Sequence, residues 1–280
     1  MHAFHFDGHL PPGYFDEQSS PLLSANRYEI VNTRSLLAAP AVVAALASAA
    51  CGATPAHHVA KRPATRRCTV GYRSLGNRQL AYAAAVRRYA VARVRPKGRQ
   101  LARFGRLNYN RLPTIFGIRG AVVDSHCSAT WYRVQLPMRP NGIVGWVPAS
   151  QLAVGTIPTR IEVDESARKL TLYDNGRPVL VSRVAVGSPA TPTPTGAYYV
   201  DQRLIPKDPH GPYGPAAVGV SAFSNVLTGW TRGGPIGIHG TDEPWSIGHN
   251  VSNGCIRLPN PLVRRLFKLT LSGTPVIIHA

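Results

Sequence analysis

The sequence predicts a mainly β fold with few helices, divided into two small β domains behind an N-terminal leader. The chain of 280 residues contains 26 Gly and 25 Pro but only 8% aromatic residues, a composition that favours short strands joined by turns. Apolar residues alternate with polar ones along several stretches, as in strands with one buried face. Between two such stretches, Asp174-Asn175-Gly176 is a strong signal for a type I′ hairpin turn.

The first 51 residues are predicted to be a secretory leader with an incorrectly assigned start. The apolar run at residues 35–50 is shorter than the roughly 20 residues that a membrane span needs, and Arg34 precedes it. The polar residues before it are unusual for a leader. We therefore interpret Val31 as the candidate start residue and residues 1–30 as an artefact.

Cys51 follows the apolar run and small residues, in the order Ser48-Ala49-Ala50-Cys51. This order resembles a bacterial lipoprotein site, in which Cys51 would be lipidated. An ordinary Ala-x-Ala cleavage site at residues 47–49 is the alternative. Both interpretations predict an exported protein of the cell envelope or cell wall, with residues 52–80 as a basic tether of small residues and prolines.

Export affects how the other cysteines are interpreted. If Cys51 is lipidated or removed, then Cys68, Cys127 and Cys255 remain. Cys68 and Cys127 lie in the same basic segment and can pair in an oxidising compartment, although two free thiols are equally compatible with the sequence. Pairing would leave Cys255 as the unpaired thiol.

Positive charge is concentrated in the middle of the chain. Residues 61–139 carry 18 basic residues and one acidic residue, so this segment supplies +17 of the net charge of +19. Such a segment attracts polyanions, and for an exported protein we expect an anionic cell-wall polymer or membrane surface rather than nucleic acid. The alternative is that these arginines simply form a solvated surface.

Residues 81–155 show the pattern of short strands. The stretches YAVARVRPKG, WYRVQLP and GIVGWVPASQL alternate apolar and polar residues, and turns are indicated at PKG and RPNG. The WYRV and GWVPASQL stretches resemble bacterial SH3-like domains, which are small barrels found beside cell-wall enzymes. The resemblance implies a domain that binds peptide or wall polymer, or one that acts as a spacer.

Two short segments near the C-terminus carry the candidate chemistry. IGIHG contains His239, and SNGCIRL, which follows it, contains Cys255. A neighbouring imidazolium lowers the pKa of a cysteine, so we expect a nucleophilic thiolate with His239 as general base and acid. Gly254 permits tight backbone geometry, with peptide N–H groups directed at an oxyanion, and the carbonyl of Gly240 can orient the imidazole.

The segments TPTPTGAYYV, YGPAAVGVSAFS, IGIHGT and SNGCIRL closely resemble the L,D-transpeptidase catalytic domain of the YkuD type, and we assign residues 156–280 to it. The resemblance implies that a peptidoglycan stem acylates the cysteine, D-Ala leaves, and an amine of a neighbouring stem accepts the acyl group in a 3→3 cross-link without a cofactor. By motif position the nucleophile is Cys255 and the base is His239. The residues that shape the site are Ser252, Asn253, Gly254, Gly240 and Arg257.

Asn253 departs from the family pattern, which commonly has His between the Ser and the Gly. Asparagine forms hydrogen bonds but does not titrate at ordinary pH. If the usual His only orients groups, Asn253 is tolerated; if it transfers protons, the reaction slows. His249 is a candidate replacement, although an ordinary loop histidine is the simpler interpretation.

Other interpretations of the motif residues are also open. The chain can act as an L,D-carboxypeptidase with water as acceptor, or as a wall-binding protein with an impaired catalytic domain. A metal site at His239 and Cys255 is disfavoured because no second Cys/His pair has suitable spacing. A papain-like enzyme is disfavoured because the His precedes the Cys.

Two segments next to these motifs have structural predictions. Tyr213 and Trp230 lie in the Gly-rich stretch 211–235, which is expected to be either a wall or lid of the substrate groove or a surface loop. Residues 259–269 have apolar residues at helical spacing behind a proline, which predicts a short packing helix.

Overall fold

The computed structural model describes residues 68–230 and 233–280, which form two large β-sheets in sequence. The predicted leader, Cys51 and most of the predicted tether lie outside the described residues. Within them, no helix is long and apolar enough to cross a membrane. The described part of the chain contains one α-helix, α1 (Asn260–Leu269), so the predicted mainly β fold with few helices is confirmed.

The N-terminal sheet contains eight strands in the order β4-β3-β7-β6-β5-β2-β8, with β1 paired to β5. All its pairs are antiparallel. The strands are β1 (Gly71–Ser74), β2 (Ala81–Val86), β3 (Tyr89–Arg93), β4 (Gln100–Gly105), β5 (Ile115–Val123), β6 (Ala129–Gln135), β7 (Val144–Pro148) and β8 (Leu152–Ile157).

The alternation predicted between residues 81 and 155 places one face of each strand in a core. Phe116, Val134, Leu136 and Val147 are fully buried in it. The sheet extends beyond the predicted domain, because β1 pairs with β5 and β8 continues to Ile157. Residues 71–74 are therefore a strand rather than part of a tether. The SH3-like character of this sheet remains a prediction.

A disulfide joins Cys68 to Cys127, with a Cα–Cα distance of 5.2 Å. It ties the segment before β1 to the turn between β5 and β6, where the Cys68 N–H donates to Ser125 O. The two cysteines are 59 residues apart. Closing a loop of that size in the unfolded chain corresponds to a stabilisation of about 4 kcal/mol in the chain-entropy model.

The C-terminal sheet also contains eight strands, in the order β11-β10-β9-β18-β13-β14-β15-β17, and β12 pairs separately with β16. Parallel pairs occur between β9 and β18, between β15 and β17, and between β12 and β16. The strands are β9 (Thr159–Asp164), β10 (Lys169–Asp174), β11 (Arg177–Arg183), β12 (Val186–Gly187), β13 (Gly196–Leu204), β14 (Ala217–Phe223), β15 (Pro235–His239), β16 (Asn250–Ser252), β17 (Ile256–Arg257) and β18 (Pro275–His279).

Both local predictions for this sheet are confirmed. Asn175 and Gly176 have φ angles of 49° and 79°, the positive values that a type I′ turn requires, and Asp174 pairs with Arg177. Helix α1 buries Val263 and Leu266 against the sheet. The helix contacts β14, the strand that pairs with β15 and so supports the strand of His239.

The two sheets share a small apolar core. Tyr199 of β13 is 2% exposed and packs with Ala83, Ile115 and Ile157 of the N-terminal sheet. Its hydroxyl donates to Ile115 O at 3.0 Å. Around this core, polar contacts extend the junction: the Gln135 side chain donates to Ala197 O at 2.9 Å. A buried aromatic ring with a satisfied hydroxyl fixes how the two sheets pack.

Asp201 lies two residues beyond Tyr199 on β13, where the ladder with β14 is irregular. Its Oδ1 is buried without a hydrogen-bond partner among the described residues. Burial raises the pKa of this carboxyl to about 7, an effect that a hydrogen bond from its own backbone N–H partly offsets. The folded protein therefore holds a neutral carboxyl at mildly acidic pH.

Asp201→Asn is expected to flatten part of the pH dependence of stability. The carboxyl has a higher pKa in the folded chain than in the unfolded chain, so its contribution is fully present below about pH 4 and is lost as the pH rises to about 7. We therefore expect the free energy of unfolding of the variant, relative to that of wild type, to be higher at pH 8 than at pH 5. Urea unfolding at both pH values measures this, with the exposed Asp208→Asn as control; equal differences at both pH values would contradict the assignment.

Candidate active site

Parallel pairing of β15 with β17 brings the two candidate motifs together. Ile238 lies opposite Ile256 and His239 opposite Arg257. Cys255 immediately precedes β17, and the backbone N–H of Gly237 lies near enough to its sulfur to lower the pKa of the thiol. Backbone register therefore holds His239, at the end of β15, next to the turn that carries Cys255.

His239 is fixed in one tautomer. The side chain is 5% exposed, and its Nδ1 lies 2.6 Å from Gly240 O. A carbonyl only accepts, so Nδ1 carries the proton and Nε2 is left with a free lone pair. The ring of Tyr213 contacts the imidazole edge-on, with centroids 5.0 Å apart. Burial lowers the pKa of His239 to about 4; the Gly240 hydrogen bond opposes this effect, and the charge of Arg257 adds to it.

Cys255 is a half-buried free thiol. Burial raises its pKa, while the Gly237 N–H and the charge of Arg257 act in the opposite direction. The pKa of His239 is lowered at the same time, so burial disfavours both the thiolate and the imidazolium in the resting structure. The thiolate–imidazolium pair expected from the sequence stays a prediction.

The turn before Cys255 depends on Ser252 and Gly254. The Ser252 hydroxyl donates to Cys255 O at 2.6 Å and accepts from Gly254 N–H at 3.1 Å. Gly254 has a φ of +103°, which strongly favours glycine. Asn253 is exposed at the tip of this turn, and His249 is also exposed.

A segment that the sequence did not indicate as part of the site supports this turn. Ser188 N–H and Thr191 Oγ1 both donate to Ser252 O at 2.9 Å. Pro192 O lies 3.4 Å from where a Cβ on Gly254 would be. The Pro-Thr stretch is therefore a wall of the site. The sequence of this stretch matches the family pattern but does not indicate which residues the stretch contacts.

Arg257 and Gly240 are held by residues that sequence reasoning missed. The Arg257 guanidinium pairs with the Glu243 carboxylate. Asn260, at the start of α1, accepts from Thr241 N–H at 2.8 Å and donates to Thr241 O at 3.0 Å. Its Oδ1 also approaches Gly240 closely. These contacts fix the backbone that orients the imidazole.

The loop between β14 and β15 is held at its base by the N-terminal sheet. The Arg139 guanidinium donates to Ser224 O and, at 2.6 Å, to Gly233 O. Asn141 accepts from Phe223 N–H at 2.9 Å and donates to Phe223 O at 2.8 Å. Both residues lie between β6 and β7, so one hairpin of the N-terminal sheet clamps the loop that leads directly into the strand bearing His239.

The two predicted groove residues have different positions. Tyr213 contacts His239 and is a wall of the site. Trp230 is 43% exposed in the loop between β14 and β15. The structure places only Tyr213 directly beside the paired motifs.

Together, a free thiol, an imidazole with a free Nε2 and backbone N–H donors in a buried β-framework define a cysteine-dependent acyl-transfer site. The model of the YkuD L,D-transpeptidase catalytic domain matches residues 158–278. The chain belongs to the YkuD family of L,D-transpeptidases and carries its catalytic domain, as predicted.

Two Bacillus proteins support this family assignment. The chain is 39% identical over 124 residues to the L,D-transpeptidase YkuD of Bacillus subtilis (strain 168), covering 44% of this chain and 68% of that protein. The corresponding Bacillus licheniformis protein is 38% identical over 123 residues, covering 44% of this chain and 67% of its own length.

Among solved structures, an Enterococcus faecium L,D-transpeptidase is 26% identical with a TM-score of 0.35, covering 43% of this chain and 49% of that chain. L,D-transpeptidase 3 of Mycobacterium tuberculosis is 19% identical with a TM-score of 0.36, covering 54% and 79%. The chain thus spans about half the length of the Enterococcus structure. The family assignment rests on the family model and the Bacillus relatives.

Arg257→Gln is expected to make Cys255 less reactive in the free enzyme. Removing the positive charge removes one of the two interactions that lower the thiol pKa, so less thiolate forms at a given pH. We expect iodoacetamide alkylation at pH 8 to slow several-fold, and the wild-type rate to keep rising past pH 9. Arg264→Gln, an exposed arginine on α1, is the control. A wild-type plateau near neutral pH would contradict the raised pKa of the Cys255 thiol.

Arg139→Ala is expected to loosen the loop before β15. The substitution removes two charge-assisted hydrogen bonds, which corresponds to a loss of about 2 kcal/mol or more in the free energy of unfolding. Because the loop leads into the strand of His239, kcat/KM falls as well. Urea unfolding and turnover of stem peptides measure both effects, with the exposed Arg99→Ala as control. Equal turnover of the two variants would show that the clamp does not act on the site.

Proposed function

We propose that the protein is a peptidoglycan L,D-transpeptidase, with Cys255 as nucleophile and His239 as general base and acid. The proposal rests on the register between β15 and β17. This register places Cys255 beside the backbone N–H of Gly237, which lies two residues before His239 on β15. Family membership supports the reaction class. The proposed donor is a tetrapeptide stem, and the proposed acceptor is an amine of a neighbouring stem.

In the proposed first step the thiol proton moves to Nε2 of His239 while the sulfur attacks the carbonyl of the third stem residue. The lowered pKa of His239 keeps the imidazole unprotonated and available as a base at neutral pH. The negative charge then develops on the substrate oxygen. Because Gly254 N–H is already bonded to Ser252 Oγ, we assign the Cys255 N–H as the backbone donor to that oxygen.

In the proposed second step the intermediate expels D-Ala, whose nitrogen takes the proton from the imidazolium. The product is a thioester on Cys255 with His239 neutral again. An amine then attacks the thioester, His239 accepts its proton, and the thiol is regenerated when the sulfur takes that proton back. Every proton passes through one histidine, so the chemistry does not require a second titrating group at Asn253. This supports an active enzyme with Asn253 as a site-shaping residue.

We further propose that the protein acts in the cell envelope, exported and either lipidated at Cys51 or cleaved beside it. The Cys68–Cys127 disulfide supports this, because such bonds persist in oxidising compartments. The N-terminal sheet is then an SH3-like domain directed at an anionic wall polymer or membrane surface. Its excess of positive charge supports an anionic partner.

Purified protein incubated with tetrapeptide stems tests the activity. We expect released D-Ala together with cross-linked stem dimers for wild type and no measurable product for Cys255→Ala. D-Ala without dimers would identify an L,D-carboxypeptidase, and binding without D-Ala would identify a wall-binding protein. Product formation by Cys255→Ala would refute the assigned nucleophile, and an intact mass increase on wild type alone would locate the acyl group.

Asn253→His tests the departure from the family pattern. Since Asn253 is exposed and protons can pass through His239, we expect dimer formation to change by less than about threefold, which is below 1 kcal/mol in the barrier. Asn250→His, another exposed asparagine five residues before Cys255, is the matched control. A gain of a hundredfold or more specific to Asn253→His would show that the natural site lacks a proton-transferring group.

A further inference from the structure

The face of the N-terminal sheet that points away from its core carries a cross-strand row of alternating charge and ring. Arg93 of β3 lies opposite Trp146 of β7, and Trp146 lies opposite Arg133 of β6. Directly opposed residues of antiparallel strands point to the same face, so these three side chains are neighbours. We call Arg93, Trp146 and Arg133 the Arg–Trp row. All three are partly exposed.

Aromatic rings extend the Arg–Trp row. Arg133 lies opposite Gly120 of β5, and Tyr72 of β1 lies across this glycine: a Cβ on Gly120 would approach Tyr72 Oη to 2.4 Å. Because Gly120 has no side chain, the Tyr72 ring can pack edge to face against Trp146, with the ring centroids 5.7 Å apart. Tyr72 is 49% exposed. Trp131 stands on the same face of β6, two residues from Arg133, and is also partly exposed.

The arginines of this face have no balancing acidic residue in their own sheet. Residues 68–157 contain fourteen Lys and Arg but one acidic residue, Asp124. The Asp124 carboxylate accepts the backbone N–H groups of His126 and Ser128 in the turn that follows β5. One guanidinium N–H of Arg93 donates to Gly98 O at 2.8 Å, which fixes its position. The face thus presents ordered positive charge between exposed rings.

The row is continuous with the junction between the two sheets. Gln135 follows Arg133 by two residues on the same face of β6, and its side chain donates to Ala197 O of the C-terminal sheet. Arg119 also donates to Ala197 O, at 3.1 Å. The Arg133 end of the row therefore lies close to the C-terminal sheet.

We propose that the Arg–Trp row, with Tyr72 and Trp131, binds a polysaccharide strand that carries carboxylates. The apolar faces of sugar rings pack on Trp and Tyr rings, and carboxylates form bidentate pairs with arginine. Arg93 and Arg133 are two strands apart, about 10 Å by the spacing of strands in a sheet, comparable to the length of a disaccharide. Alternating rings and charges at this interval fit a glycan strand bearing acidic groups.

This inference rests on the proposed function, and it deepens it by assigning the surface that holds the wall strand during cross-linking. A phospholipid surface is a weaker fit, because a half-buried row at a domain junction does not present the wide exposed face that a membrane requires. Duplex nucleic acid is likewise a weaker fit, because the row offers two ordered arginines between rings rather than a broad basic groove.

Binding is measured by co-sedimentation of the whole chain with purified peptidoglycan sacculi stripped of covalently attached phosphate polymers. All proteins carry Cys255→Ala, so that no turnover or acyl capture contributes. Trp146→Ala and Arg133→Gln test the row, Trp146→Phe keeps a ring in case the alanine variant does not fold, and thermal unfolding verifies each variant. Arg103→Gln, an exposed arginine of β4 stacked on Tyr89 at 4.8 Å, is the matched control for loss of one charge.

We expect Trp146→Ala and Arg133→Gln each to weaken binding at least fivefold, with Trp146→Phe and Arg103→Gln within twofold of the parent. We expect the Cys255→Ala parent to bind sacculi with amidated carboxylates as weakly as Arg133→Gln binds intact sacculi. Folded row variants that bind like the parent would overturn the proposal, as would equal binding to amidated sacculi. Tighter binding to phosphatidylglycerol vesicles or duplex DNA, lost in the same variants, would also overturn it in favour of those partners.

These outcomes are separable from the failure of the proposed reaction. If wild type forms no stem dimers but the Cys255→Ala parent binds sacculi through the row, the surface stands and the reaction does not. If dimers form from soluble stems but the row variants bind sacculi like the parent, the reaction stands and the surface does not.

Discussion

The two-residue parallel ladder between β15 and β17 is the interaction on which the site depends. It sets Ile238 against Ile256 and His239 against Arg257, so Cys255 enters the strand beside Gly237. A slip by one residue would turn His239 to the other face of the sheet and remove the N–H from the sulfur. Such a short ladder is marginal by itself. Its register is maintained from outside, by the fully buried Ile238, Ile256 and Leu258 and by Asn260 holding Thr241.

The same burial that fixes the geometry sets the resting protonation state. A thiol and a neutral imidazole cost little to keep in a half-buried pocket, whereas an ion pair there must be compensated by hydrogen bonds or by nearby charge. Arg257 favours the thiolate but opposes the imidazolium, and its pairing with Glu243 reduces both effects. The arrangement therefore favours transfer of the proton during attack over a stored thiolate.

The separation of two residues along the chain decides whether their contact could be predicted from the sequence. Strand alternation, the Asn175-Gly176 turn, helix α1 and the roles expected of His239 and Cys255 are local patterns or contiguous motifs, and the sequence alone indicated them. The contacts of Arg139 with Ser224 and Gly233 join residues 85 and 94 positions apart, and no local pattern marks them. The protonation of the Cys255–His239 pair depends on burial, which is a property of the assembled core and not of the residue types that suggested an ion pair.

The relation between the two sheets argues against a simple spacer. A spacer needs only a flexible or smooth junction, but here Tyr199 is buried in the N-terminal sheet, with its hydroxyl satisfied there. The β6–β7 hairpin reaches the loop that precedes the strand of His239, and the Arg–Trp row lies on the face that leads to this junction. A strand held on that face and a stem held at Cys255 would then be positioned by one rigid unit. Orientation of two large reactants is costly to achieve by diffusion, and a fixed junction supplies it before the chemistry begins.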